Sequence, residues 1–144
     1  MSNQKSLENL FRLVHGLKRQ MYKKTEQLSL DITPMHIRVL KIVDRKKPCT
    51  AVDIVDILGR DKGQVTRLIN TLIDKGLIER APNPNDKRSH YLSITDAGMT
   101  VVEEVMKIDA DTVNKMTQNL KREELAEFER ISELMANNLY EENN

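Results

Sequence analysis

The sequence predicts a mainly α-helical fold that contains one small two-stranded β hairpin. Apolar residues recur at three- and four-residue steps along most of the chain, which is the spacing of amphipathic helices. A glycine-containing turn at residues 59–63 separates two short helical patterns, and two alternating segments enclose a turn-rich stretch at residues 82–88. This order predicts a winged helix-turn-helix lobe over residues 33–95, with long dimerisation helices in residues 1–32 and 96–144.

The first two helices are predicted from an apolar stripe and a start signal. The stripe ends near Leu28–Leu30, where Thr33 and Pro34 begin a second helix that runs to about Arg45. Threonine caps free backbone amides, and proline fits the first helical position because it has no N–H to lose. The stripe of the first helix consists of Leu7, Leu10, Phe11, Val14, Leu17 and Met21.

The next two helices are predicted from their caps. Thr50 and Asp53 have the spacing of a capping box, and the short third helix that they begin ends at Leu58–Gly59. Asp61 is the expected cap of a fourth helix, which runs to Lys75 and closes on Gly76.

The remaining elements are two strands and two helices. Alternating residues predict strands over Leu77–Ala81 and His90–Ile94. Thr95–Asp96 is the expected start of a long fifth helix, and a sixth begins near Lys121. We expect all of residues 1–144 to form a single domain.

The long first, fifth and sixth helices carry more apolar surface than so small a centre can cover. An apolar stripe has to be buried against another element, so the pattern favours a homodimer. A compact monomeric bundle is the alternative.

The fourth helix has an apolar arc and an opposite polar arc. The polar arc contains no acidic residue before Asp74, whereas a solvated helix face commonly mixes acids with bases. Arginine binds guanine, amides pair with adenine, and threonine contacts a base edge or the thymine methyl group, so this arc suits the major groove. A merely solvated face is the alternative. The predicted contact residues are Lys62, Gln64, Thr66, Arg67, Asn70 and Thr71.

The tip of the hairpin is a second predicted contact. Lys87 and Arg88 lie at a loop apex, where long cationic side chains can reach a phosphate or a narrow minor groove. Asp86 is expected to hold Arg88 by a charge-assisted bond. Thr50, at the start of the third helix, is expected to lie near a phosphate. The alternative for the tip is a solvated turn.

Five segments carry a resemblance to the MarR (multiple antibiotic resistance regulator) family of winged-helix transcriptional regulators. The segments over 63–68 and 75–80 resemble the family's recognition helix and first wing strand. Residues 83–89 resemble its wing signature, and residues 92–98 resemble the second strand with the start of the dimer helix. Upstream, Ile32-Thr33-Pro34 through Val39-Leu40 resembles the start of the family's second helix.

This resemblance implies a homodimer whose first and last helices interlock, bound to a pseudo-palindromic operator in double-stranded DNA. It implies that Gln64, Thr66, Arg67, Asn70 and Thr71 contact DNA from the helix, and that Arg88, held by Asp86, contacts it from the wing. Many family members release DNA when a small aromatic or phenolic anion binds, so such an effector is expected.

Few other residues suggest chemistry. His15 and His36 are candidates for an effector pocket, although structural roles are the alternative. Together with His90 they do not have the spacing of metal ligands.

The redox-sensing branch of the family uses a cysteine in the first helix, where this chain has none. Cys49 has two neighbouring lysines that would lower its pKa, but a bystander thiol is the simpler interpretation. No phosphate-binding loop, nucleophile motif or carboxylate pair is recognisable, so we expect neither an enzyme nor a cofactor.

Composition and charge agree with this interpretation. Nothing approaches the length of an apolar membrane span or a secretory signal, and a single cysteine fits a reducing compartment, so we expect a cytoplasmic protein. The net charge of +1 divides into +4 in residues 1–30, +4 in residues 31–95 and −7 in residues 96–144. A polyanion would therefore meet the first two-thirds of the chain, unless the acids of the last third merely solvate a helix.

The sequence thus predicts a sequence-specific DNA-binding transcriptional regulator, a homodimeric repressor released from its operator by a small molecule. The alternative is a winged helix that serves as a protein-interaction or assembly module, because fold alone does not determine function.

Overall fold

The computed structural model describes residues 2–141 and contains six helices and two strands in that range. The predicted order of elements is confirmed. The first helix ends slightly earlier than the expected Leu28–Leu30. The elements are α1 (Ser2–Glu26), α2 (Pro34–Arg45), α3 (Ala51–Leu58), α4 (Lys62–Asp74), β1 (Ile78–Pro82), β2 (His90–Ile94), α5 (Asp96–Met116) and α6 (Arg122–Glu141).

The chain divides into two compact units, residues 1–109 and residues 110–144, with the boundary inside α5. The first unit holds α1 to β2 and most of α5, and the second holds the end of α5 and α6. The single domain expected over residues 1–144 stays a prediction, and its ends, Met1 and residues 142–144, lie outside the described residues.

The helix starts are held by the caps that the sequence predicts. The Thr50 hydroxyl accepts from the Asp53 amide at 3.3 Å, and the Asp53 carboxylate accepts from the Thr50 amide at 2.9 Å. At α2 the same reciprocal pattern uses a histidine, because His36 Nδ1 accepts from the Thr33 amide at 3.0 Å. These local bonds satisfy amides that a helix start leaves free.

The core of the first unit lies between α2, α3, α4, the hairpin and α5. On α2, Ile37, Val39 and Val43 are buried, while Met35 and Ile42 are only partly buried. The largest fully buried side chains are Leu40, Ile54, Leu72, Ile78, Val39, Val43, Val65 and Cys49.

Lys41 of α2 forms an ion pair with α5. It is half-buried, and its Nζ lies 2.7 Å from Asp109 Oδ2 on α5. The partner is distant in sequence, so the helical pattern alone does not indicate this ion pair.

The hairpin is antiparallel, with Ile78 opposite Ile94 and Pro82 opposite His90. Its first strand begins one residue later than expected, because the Leu77 amide donates to Leu72 O at 2.9 Å and so completes the end of α4. Gly76 adopts φ +71°, the left-handed conformation that this type of helix ending requires.

Thr95 joins the end of α4 to the start of α5. Its hydroxyl donates to Gly76 O at 2.7 Å and accepts from the Gly98 amide at 3.1 Å. Its own amide donates to Leu77 O at 3.1 Å. The hairpin, α4 and α5 therefore meet at one small hydrogen-bonded junction.

Apolar side chains remain exposed on α1 and α6. Phe11 is 65% exposed and Phe128 is 54% exposed. The surplus apolar surface predicted for these helices is therefore present in the isolated chain. Its other members on the two helices are Leu7, Leu10, Leu13, Val14, Tyr22, Ile131, Leu134, Met135, Leu139 and Tyr140.

Candidate nucleic-acid interface

The rotation of α4 is set by its buried residues. Val65, Ile69 and Leu72 pack into the core, which turns the opposite side of the helix outward. We call the outward side the polar face of α4. It consists of Gln64, Thr66, Arg67 and Asn70, which are exposed, and Thr71, which is half-buried.

The start of α4 is capped by an acid that the site prediction did not include. Asp61 Oδ1 accepts from the Gln64 amide at 2.9 Å. Lys62, the first helical residue, is exposed beside it. The Asp61 carboxylate accepts from one of the amides that a helix start leaves free. An anion bound here would therefore be held by the Lys62 side chain more than by the amides.

The two threonines of the polar face use their hydroxyl hydrogens within the helix. Thr66 Oγ1 donates to Lys62 O at 2.8 Å, and Thr71 Oγ1 donates to Arg67 O at 3.0 Å. Each threonine therefore retains an acceptor oxygen and an apolar methyl group. The hydrogen-bond donors of the polar face come from Gln64, Arg67 and Asn70.

We use the term wing for β1, β2 and the loop 83–89 between them. The bond expected between Asp86 and the Arg88 side chain is instead made to the main chain. Asp86 Oδ1 accepts from the Arg88 amide at 2.9 Å, and the Ser89 amide donates to Asp86 O at 3.2 Å. An acid two residues before an amide forms this tight turn without the guanidinium. The turn leaves the exposed Lys87 and Arg88 side chains available to a partner.

Arg80 was missed by the sequence reasoning. From β1 its Nη2 donates to Asn70 Oδ1 at 2.7 Å, which ties the wing to the polar face of α4. In the sequence, only the alternating pattern of the strand pointed to Arg80. That pattern does not identify its hydrogen-bond partner.

A cleft of about 550 Å³ lies between α3, α4 and the wing. Its lining brings together three basic side chains and one acid, so a phosphate would find a net positive wall. The charged lining residues are Lys62, Arg80, Arg88 and Asp86.

Thr50 lies at the start of α3 and is half-buried. Its hydroxyl lies 3.1 Å from Asp53 Oδ2, and its amide also bonds Asp53. Both polar groups of Thr50 are thus engaged in the cap, and its predicted proximity to a phosphate stays a prediction.

His15 and His36 line two separate cavities. The cavity of about 460 Å³ at His15 also includes Tyr22 and Pro34. The cavity of about 340 Å³ at His36 adjoins Gln64 and Arg67 of the polar face. Burial and the nearby charge of Lys75 lower the pKa of His36, so its imidazole is neutral at pH 7.

Cys49 is fully buried, and its Sγ lies 3.7 Å from Thr50 O. Burial raises the pKa of the Cys49 thiol to about 11, and the negative charge of Asp53 adds to this rise. The positive charge of Lys46 lowers the pKa, but by less. A thiol that stays protonated at neutral pH is a poor nucleophile, which favours the bystander interpretation.

Within residues 2–141 no group of three or more His, Cys, Asp or Glu side chains is placed to hold a metal ion. In the same range, none of the helices combines the length and apolar composition that crossing a bilayer requires.

Known proteins share both the sequence and the fold. Residues 30–89 match the model of the MarR family. The multiple antibiotic resistance protein MarR of Escherichia coli strain K12 is 34% identical over 123 residues, which cover 83% of this chain and 85% of that protein. The HTH-type transcriptional regulator TcaR of Staphylococcus aureus strain Newman is 28% identical over 131 residues, or 90% of this chain and 85% of TcaR.

Among solved structures, a cysteine-to-serine mutant of Escherichia coli MarR complexed with operator DNA superposes with a TM-score of 0.75 at 28% identity. The match covers 89% of this chain and 91% of the MarR chain. The similarity therefore extends well beyond the segments over 32–98 that carry the sequence resemblance.

Proposed function

Because this chain belongs to the MarR family, we propose that it is a DNA-binding transcriptional regulator that acts as a homodimeric repressor in the cytoplasm. The observation that carries the proposal is the polar face of α4, which is exposed, free of acids and next to a cleft with three basic side chains. Such a face offers the donors and methyl groups that base edges recognise, and the basic cleft offers partners to phosphates.

Each part of the interface has a distinct role in this proposal. The polar face of α4 lies in the major groove, where Gln64, Arg67 and Asn70 bind base edges. Lys87 and Arg88 extend from the wing to the DNA backbone or the minor groove, and Lys62 binds a phosphate. The side chains are exposed, which supports these roles.

The exposed apolar side chains of α1 and α6 support the homodimer. Exposed residues such as Phe11 and Phe128 would cost free energy in water, and a second copy of the chain covers them. In this arrangement the lobe over residues 33–95 binds DNA, and residues 1–32 and 96–144 dimerise. Two lobes related by a two-fold axis would bind a pseudo-palindromic operator with half-sites about one helical turn apart.

A protein-interaction module is less well supported. An interface for another protein would have an exposed aromatic or large apolar residue at its centre. The polar face of α4 has none, since the apolar residues of α4 are buried or half-buried. The family consists of regulators, and the proposal includes no catalytic activity.

We expect Arg88→Ala and Arg67→Ala to weaken binding in different ways. Arg88→Ala removes a backbone contact and should weaken binding to all sequences alike. Arg67→Ala removes a base contact, which should cost about 1–3 kcal/mol on the preferred site and also change the base preference. Fluorescence anisotropy with the DNA upstream of the chain's own coding region, and with single-base variants of it, measures both effects.

The salt dependence of DNA binding is the control for this experiment. Binding through phosphates releases counterions, so affinity should fall steeply with salt, and the slope should decrease by about one for Arg88→Ala. If both variants bind like the parent, or if the parent shows no salt dependence, this interface is wrong.

A small aromatic or phenolic anion is the proposed effector, and the cavity at His36 is its proposed site. This cavity includes Arg60 and Arg67, which would attract a carboxylate, and apolar groups of Met35 and Leu68, which would contact a ring. A ligand here would compete with DNA for Arg67. The His15 cavity is the second candidate.

Thermal shift with hydroxybenzoic acids tests the effector. A shift that is lost in Arg60→Ala but kept in His15→Ala would support the His36 cavity. The opposite pattern would favour the cavity at His15, and the absence of any shift would remove this effector class.

A further inference from the structure

The hydrogen bond between Arg80 and Asn70 has a defined direction. A guanidinium has donors and no acceptor, so the group facing Arg80 Nη2 at 2.7 Å has to be the amide oxygen of Asn70. This partner determines the orientation of the Asn70 amide. The Asn70 oxygen is therefore turned towards β1.

The other end of the amide has no partner in the described chain. No side chain or backbone group within residues 2–141 accepts from Asn70 Nδ2. Because Asn70 is exposed on the polar face of α4, its amino group is available to a ligand there.

This orientation changes which base Asn70 can bind. A free asparagine binds adenine through two bonds, because it donates to N7 and accepts from the N6 amino group. The amide oxygen can accept a second bond, but it is turned towards Arg80 on β1, so the group that Asn70 presents to a base is its amino donor. Guanine presents acceptors at both N7 and O6, whereas the amino group of adenine would face another donor.

We propose that Arg80 is a positioning residue that determines DNA specificity by holding Asn70 as a donor, so that the protein prefers guanine over adenine at the base pair facing Asn70. This inference rests on the proposed DNA-binding function. Arg80 acts through Asn70 and does not itself contact the base in this proposal.

Selection from operators randomised within the half-site tests the proposal, with sequencing of the bound DNA. The parent should select guanine at one position in each half-site. Arg80→Met frees the amide, and the ratio of adenine to guanine at that position should invert, with a change of about tenfold or more. Asn70→Asp keeps a partner for Arg80 but has no donor, so the preference for guanine should disappear.

Lys87→Met is the matched control, because it removes one positive charge from the wing without contact to Asn70. It should weaken binding to every sequence and leave the base ratio unchanged.

Arg80→Glu is a second test, because it replaces the donor that faces Asn70 with an acceptor. A carboxylate accepts from the Asn70 amino group and turns the oxygen outward, so this variant should also lose the preference for guanine.

The outcomes separate this inference from the function on which it rests. If Arg80→Met and Arg80→Glu weaken all sequences equally and keep the parent's base ratio, Arg80 only supports the wing and the inference is wrong. If the parent shows no base preference at all, the proposed operator binding fails and the inference fails with it. Thermal unfolding of each variant verifies that the exposed substitutions leave the fold intact.

Discussion

Replacement of Gly98 by alanine is expected to destabilise the fold by about 3 kcal/mol, since a side chain there has no space. A Cβ atom at this position would overlap the backbone oxygen of Leu77 and would lie 2.7 Å from Ile94 Cγ1. The first neighbour is main chain at the junction of α4, the wing and α5, so it cannot move aside as a flexible side chain can.

Thermal unfolding measures this effect, and a fall of roughly 10 °C in Tm is expected for a chain of this size. DNA affinity should fall as well, because the junction sets the position of the wing against α4. Gly16→Ala is the matched control. Nothing lies within 4 Å of a Cβ atom built on Gly16, which is in the middle of α1, so alanine should leave Tm unchanged or raise it slightly. Equal Tm values for the two variants would contradict the tight junction described for Gly98.

The second large effect is expected for Leu134→Glu on α6. Leu134 is 52% exposed in the isolated chain, within the apolar stripe that the proposed homodimer would cover. A carboxylate buried in that interface without a partner should raise the dimer dissociation constant by about a hundredfold or more. Binding to a two-half-site operator should then fall further than for any single DNA-contact variant, because both lobes have to bind together.

Light scattering after size-exclusion chromatography measures the dimer, and anisotropy measures the operator affinity. Ala136→Glu introduces the same charge at an exposed position about 160° around α6 from Leu134 and should affect neither quantity. A Leu134→Glu protein that remains dimeric at low micromolar concentration would show that α6 does not form the interface.

Much of the fold could be predicted because its signals are local. The cap at Thr50 involves a partner three residues away, and the helix starts at Thr33 and Asp61 depend on equally short bonds. The rotation of α4 follows from its own pattern of Val65, Ile69 and Leu72. The polar face could therefore be identified before any tertiary contact was known.

The prediction was least accurate where a main-chain group takes the place of an expected partner. Leu77 has the pattern of a strand residue, but its amide completes the end of α4. Asp86 was expected to hold the guanidinium of Arg88, and a bond to the Arg88 amide takes its place. The main-chain group is Leu72 O in the first case and the Arg88 amide in the second. Side-chain patterns do not reveal such main-chain partners.

The sequence by itself determined the order of the elements, the polar face of α4 and the cationic tip of the wing, because helix periodicity, caps and turns depend on neighbours within a few residues. Only the tertiary structure decided how these elements meet. The bond of Arg80 to Asn70 spans 10 positions, that of Thr95 to Gly76 spans 19, and that of Lys41 to Asp109 spans 68. Such pairs form only after the core has packed and brought the side chains within reach, so the orientation of Asn70 and the close approach at Gly98 follow from packing rather than from any local pattern.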